Sequence, residues 1–167
     1  VTGPLLPLIA DEFGKSIGTA AVIVTAFVLP YGVCQLVFGP IGDRIGKLRV
    51  IALTLGGSTI FTIATGFVET LESLAILRFM TGIMLAATVP LSMAYIADEV
   101  AYESRQPVMA RYIKGLILGH IAGACCGGLW GEFFDWRTVF TVFGVLSAIV
   151  SGVLWMAAGR QSPVQNI

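Results

Sequence analysis

The chain has 167 residues, of which 56% are hydrophobic and only 12% charged, and its mean hydropathy is +0.89. A soluble domain carries about 25% charged residues, so this composition excludes an ordinary soluble domain and points to a membrane protein. Ten bases balance ten acids, which leaves no basic surplus to attract nucleic acid.

The charges fall in short islands between apolar runs, as expected where lipid excludes charge. A helix needs roughly 20 mostly apolar residues to cross the bilayer core. Residues 1–10, "VTGPLLPLIA", are too few and carry Pro4 and Pro7. They read as the second half of a first span whose first half would precede Val1. No basic segment precedes them, so they do not read as a secretory signal. Five full spans follow, at 17–39, 50–67, 74–97, 108–130 and 138–158. The predicted fold is an all-α integral membrane protein, a bundle of five full transmembrane helices plus a truncated first helix. The connections are short, so residues 1–158 form one membrane unit. Residues 159–167, "GRQSPVQNI", read as the start of a polar central linker.

Lys and Arg set the orientation. Arg44, Lys47, Arg49, Arg105, Arg111, Lys114 and Arg160 fall on one side, and Lys15, Arg78 and Arg137 on the other. The richer side is assigned to the cytoplasm. "IADE" occurs twice, at 9–12 and 96–99, ending the first and fourth spans. It hints at two three-helix repeats of opposite topology.

Three stretches carry candidate chemistry. Residues 39–50, "GPIGDRIGKLRV", pack glycines, one acid and three bases between two spans. A positive-inside hairpin is the plain reading. The spacing G-x-x-x-D-R-x-G-K is more specific. With Gly39, Gly42, Asp43, Arg44, Gly46 and Lys47, it resembles the signature loop between the second and third helices of the major facilitator superfamily. Arg78 lies inside the fourth span, where a charge is costly and a functional candidate by default; snorkelling at the interface is its other reading. "RFMTG" resembles the family's fourth-helix motif, with Met84 in place of its second glycine. In the fifth span, glycines fall at 115, 119, 123, 127 and 131. Such a small-residue ridge packs helices backbone to backbone. Gly119, Gly123, Gly127 and Gly128 also resemble the antiporter motif of drug and metabolite exporters, with Ala124 where that motif carries proline. "DWRTVF" at 135–140 looks like a sixth-span entry of the same superfamily.

The resemblance covers nearly the whole chain and implies the amino-terminal six-helix half of a secondary transporter. Substrate, a small molecule, would bind between this half and a carboxy-terminal half absent from the chain. A proton gradient would supply the energy, so no cofactor is expected, and Arg78 would serve in coupling. Asp43 and Arg44 would form a cytoplasmic latch, with Asp98 as the partner of Arg44. Tyr31 and Gln35 share one helix face and, with His120, are candidates to line the cavity or to bond between helices. The fifth-span glycines imply efflux by antiport in a bacterial inner membrane. An uptake carrier of the same fold and a structural membrane protein remain alternatives. One His and no mid-span acid argue against an enzyme, which needs converging acid–base groups. Cys34, Cys125 and Cys126 lie in apolar runs without a CxxC pair, so no metal site is expected.

Overall fold

The computed structural model describes residues 2–159 of the chain; the expected linker, with Arg160 and Pro163, lies beyond them apart from Gly159. Every regular element among the described residues is helical. In order these are α1 (Thr2–Glu12), α2 (Ile17–Ala20), α3 (Val22–Ile45), α4 (Lys47–Ala64), a 3-10 turn (Thr65–Phe67), α5 (Leu71–Leu85), α6 (Thr88–Glu99), α7 (Tyr102–Phe133) and α8 (Trp136–Gly159). They make five spans long and apolar enough to cross a membrane: Ile17–Ile45, Lys47–Phe67, Leu71–Glu99, Tyr102–Phe133 and Trp136–Gly159. The short α1 leads into the first of these.

The helices outrun the apolar segments that announce them. Residues 39–50, read from sequence as a loop, are almost wholly helical: α3 runs to Ile45, Gly46 alone lies outside helix, and α4 starts at Lys47. Charge ends the lipid-compatible segment but not the helix, because backbone bonding continues wherever water can solvate the side chains. Gly46 makes the turn at φ 103°, a value that disfavours any side chain. The span expected at 74–97 lies within Leu71–Glu99, but its helix is interrupted between Leu85 and Thr88. Pro90 explains the break, since it lacks an N–H and its ring collides with the carbonyl four residues back, that of Ala86.

Close approach depends on small residues. Ser151 on α8 donates to the Ala52 carbonyl of α4 at 2.9 Å. A Cβ on Gly144 would lie 2.5 Å from Ile63 Cγ1, and one on Gly82 would collide with the Phe27 carbonyl. These contacts draw α8 onto α4, and α5 onto α3. Hydroxyls within α4 are satisfied by its own carbonyls, as with Thr54 to Val50 at 2.9 Å.

The core has two centres, one near each end of the bundle. Leu5, Ile9, Ile23, Leu74, Trp136, Val139 and Phe140 form one. Val50, Ile51, Ala87 and Leu91 form the other, with Phe38 and Ile41 against them. α3 and α7 stay largely uncovered, and Leu36 (82% exposed) and Leu118 (66%) stand out from them.

Candidate functional site

The turn at Gly46 brings three charges together. Lys47 Nζ lies 2.8 Å from Asp43 Oδ1 and 2.6 Å from Asp98 Oδ2. Asp43 is in the last turn of α3, Lys47 opens α4, and Asp98 is in the last turn of α6. Beneath them α3 meets α6 closely: a Cβ on Gly42 would stand 2.5 Å from Leu91 Cδ2. One sequence expectation is corrected here. The partner of Asp98 is Lys47, not Arg44. Arg44 is exposed and forms no ion pair among the described residues. The reason is electrostatic and geometric. Arg44 is a base in the last turn of α3, where the helix dipole already favours it. Gly46 turns the chain so that Lys47 swings toward α6.

Arg78 lies seven residues into α5, about 10 Å along the axis, because the helix begins three residues before the span expected from residue 74. It is only 6% exposed, which rules out snorkelling. Its Nη2 donates to Thr65 Oγ1 at 3.2 Å, and its guanidinium sits 4.5 Å from the centre of the Phe140 ring, within cation–π range. Among the described residues its Nε has no hydrogen-bond partner. The arginine therefore points into the interior of this bundle, between α5, the 3-10 turn and α8.

The glycine ridge of α7 divides in two. At its far end Gly127 is buried, a Cβ on Gly128 would lie 3.1 Å from Pro4 Cβ, and one on Gly131 would overlap Leu5. Gly123 is half-buried. Gly115 and Gly119 meet nothing within 4 Å, so a continuous packed ridge does not form within the described residues. His120 is exposed on this open part of α7, and Tyr31 and Gln35 are half-buried on α3. Tyr31 stacks on Phe27 at 5.7 Å. The three candidates thus sit on the two least covered helices.

Sequence reading missed a second charged cluster, at the opposite end of the bundle. Glu12, the last residue of α1, accepts hydrogen bonds from Trp136 Nε1 and from Arg137 Nη1. Arg137 Nη2 also donates to the Val68 carbonyl at 2.5 Å, and its guanidinium lies 4.7 Å from the Trp136 ring centre. Asp135 caps α8 by accepting from the Arg137 backbone N–H at 3.0 Å. The signal was present in the doubled "IADE" and in "DWRTVF". What hid it is a separation of 125 residues between Glu12 and Arg137.

Known proteins agree with this architecture. The sequence matches the family profile described as Major Facilitator Superfamily over residues 1–166. It is 26% identical to the uncharacterized MFS-type transporter YybF of Bacillus subtilis, over 92% of this chain and 38% of that protein. It is 24% identical to the inner membrane transport protein YnfM of Escherichia coli, over 91% of this chain and 36% of that protein. A gallate transporter of Pseudomonas putida is 24% identical over 100% of this chain and 39% of its own length. The chain thus spans under two fifths of the length of these relatives. Matched almost end to end by the family profile, and built of helices long and apolar enough to cross a membrane, the chain belongs to the Major Facilitator Superfamily.

Proposed function

We propose that this chain acts as the amino-terminal half of a secondary transporter that moves a small molecule by alternating access. A second six-helix half completes the site. The observation that carries this reading is the Asp43–Lys47–Asp98 triad at the α3–α4 elbow, where one cation ties together three helix ends. The elbow end faces the cytoplasm, in accord with the bias of Lys and Arg. Residues 1–158 are the membrane half, and the segment from 159 begins the link to the other half.

A transporter must keep its two states close in energy, so a contact that sets direction must bias without locking. The triad fits. Asp43 and Asp98 lie at helix C-termini and Lys47 at an N-terminus, each on the unfavourable end of its own dipole. Both carboxylates are more than half exposed, and an exposed ion pair is worth only about 0–1 kcal/mol, so the contact breaks at modest cost. In this reading the triad is closed when the protein opens outward. Tyr31, Gln35 and His120 line the path along the uncovered faces of α3 and α7, where the second half docks. Arg78 tunes coupling through its place behind that wall. Proton-coupled efflux from a bacterial inner membrane is the preferred direction, supported by the glycine series from Gly119 to Gly128. Uptake by a carrier of the same fold is the second reading.

The test uses the full-length protein in vesicles, with and without an imposed pH gradient. Asp43→Asn should slow transport at least tenfold while membrane expression stays normal. Transport at the wild-type rate by that variant overturns the latch. Solute movement against the proton gradient identifies antiport, and movement with it identifies uptake.

A further inference from the structure

The two charged clusters stand in a relation that their sequence positions conceal. α1 ends in "IADE" and so does α6. The acid of the first, Glu12, pairs with Arg137 in the first turn of α8. From the second it is Asp98, one position earlier in the motif than Glu12, that pairs with Lys47 in the first turn of α4. Taking residues up to the 3-10 turn as one repeat and α5 to α8 as the other, each pair joins the first span of one repeat to the third span of the other.

The packing beneath each pair follows the same rule. Leu5 of α1 presses on Gly131 of α7, and Leu91 of α6 presses on Gly42 of α3. Both leucines are fully buried, at 0% and 1% exposure. Around the two glycines the sequence echoes itself: "GPIGD" at 39–43 and "GLWGE" at 128–132. In each pair the cation is the covered partner, with Lys47 at 18% and Arg137 at 23%, and the acid the open one, with Asp98 at 58% and Glu12 at 40%. Both pairs also set an acid at a helix C-terminus against a base at a helix N-terminus, so each charge gains from its partner's helix end what its own helix end denies it. α4 separates the two clusters by its length, about 27 Å for a helix of 18 residues.

We propose that Glu12 and Arg137 form an outer clasp, the counterpart of the Lys47–Asp98 clasp, and that it biases the transporter toward the opposite state. The inference rests on the transporter reading above. Exchanging the two repeats turns the membrane over, so the inner clasp becomes the outer one and outward-open becomes inward-open. If Lys47–Asp98 favours the outward-open state, Glu12–Arg137 favours the inward-open state. The Trp136 ring and the Val68 carbonyl hold the guanidinium where the carboxylate of α1 can reach it.

The experiment places a cysteine at Gln35 of the full-length protein, with the other cysteines replaced. It compares labelling by a membrane-impermeant maleimide in right-side-out and inside-out vesicles. Glu12→Gln should raise the ratio of outside to inside labelling about two- to fivefold, the factor expected of a partly exposed ion pair. Lys47→Met should lower it by a similar factor. Arg137→Gln should act like Glu12→Gln, and the double variant should go no further than either alone, as coupled partners require. Should Arg137→Gln fail to fold, Glu12→Gln decides the matter, because its amide oxygen still accepts from Trp136. If Lys47→Met shifts the ratio but Glu12→Gln leaves it unchanged, or moves it the same way, the outer clasp is overturned and the transporter reading stands. If no variant at either clasp moves the ratio, both fall.

Discussion

Gly42→Ala puts a single methyl group where the elbow has no room. The new Cβ would lie 2.5 Å from Leu91 Cδ2 and 3.2 Å from Leu91 Cδ1, against a normal carbon separation of about 3.5–4.0 Å. Leu91 is 1% exposed and sits among Val50, Ile51 and Ala87, so its methyl groups cannot swing to water. Overpacking of this kind costs about 1–3 kcal/mol. Replacing a helical glycine by alanine returns up to about 1 kcal/mol, which leaves a net loss of about 0–2 kcal/mol. Gly39→Ala is the internal control. It lies in the same helix, and its Cβ would meet nothing within 4 Å, so only the propensity gain of up to about 1 kcal/mol applies. Thermal unfolding of the purified full-length protein in detergent should therefore move in opposite directions for the two variants. Leu91→Ala combined with Gly42→Ala should cost less than the sum of the single changes, because the added methyl fills part of the space vacated. Equal midpoints for Gly42→Ala and Gly39→Ala, or strict additivity with Leu91→Ala, would refute the packing argument.

Two further outcomes are expected. Thr65→Val removes the hydroxyl that accepts from Arg78 Nη2 and leaves a buried donor unsatisfied, so the unfolding midpoint should fall by an amount equivalent to about 1–3 kcal/mol; an unchanged midpoint would show that Arg78 is held by Phe140 alone. Gly131→Leu should destabilise by about 1–3 kcal/mol or more through overlap with Leu5. Gly119→Leu should leave the packing within this half intact, since nothing lies near Gly119; if the two cost the same within an isolated amino-terminal half, the division of the α7 ridge is wrong.

The differences between sequence reading and structure have particular causes. The apolar spans were legible because lipid tolerates no charge, and each island of charge marks a place where helices leave it. Their ends were not, because helix bonding in α3 and α7 continues into residues that lipid would reject. Gly46 was visible as a glycine, but its positive φ was not. Arg78 was recognisable as an anomaly, while its seat beside Thr65 and Phe140 depends on how α5 meets α8. Motif spacing does not distinguish Arg44 from Lys47 as the partner of Asp98. Only the direction of the turn at Gly46 separates them.

Composition and periodicity by themselves determined that this chain is a membrane bundle, how many spans it has, and which short stretches resist a purely structural account. Those are local properties, set by transfer of side chains between water and lipid. Which acid meets which base was decided by tertiary structure alone. Glu12 and Arg137 are distant in sequence, as are Lys47 and Asp98, and each pair forms because a buried leucine fits against a glycine and brings two helix ends within reach. Long-range pairing of this kind arises from helix packing, which no local pattern encodes, and it is where the chain's two opposed clasps become apparent.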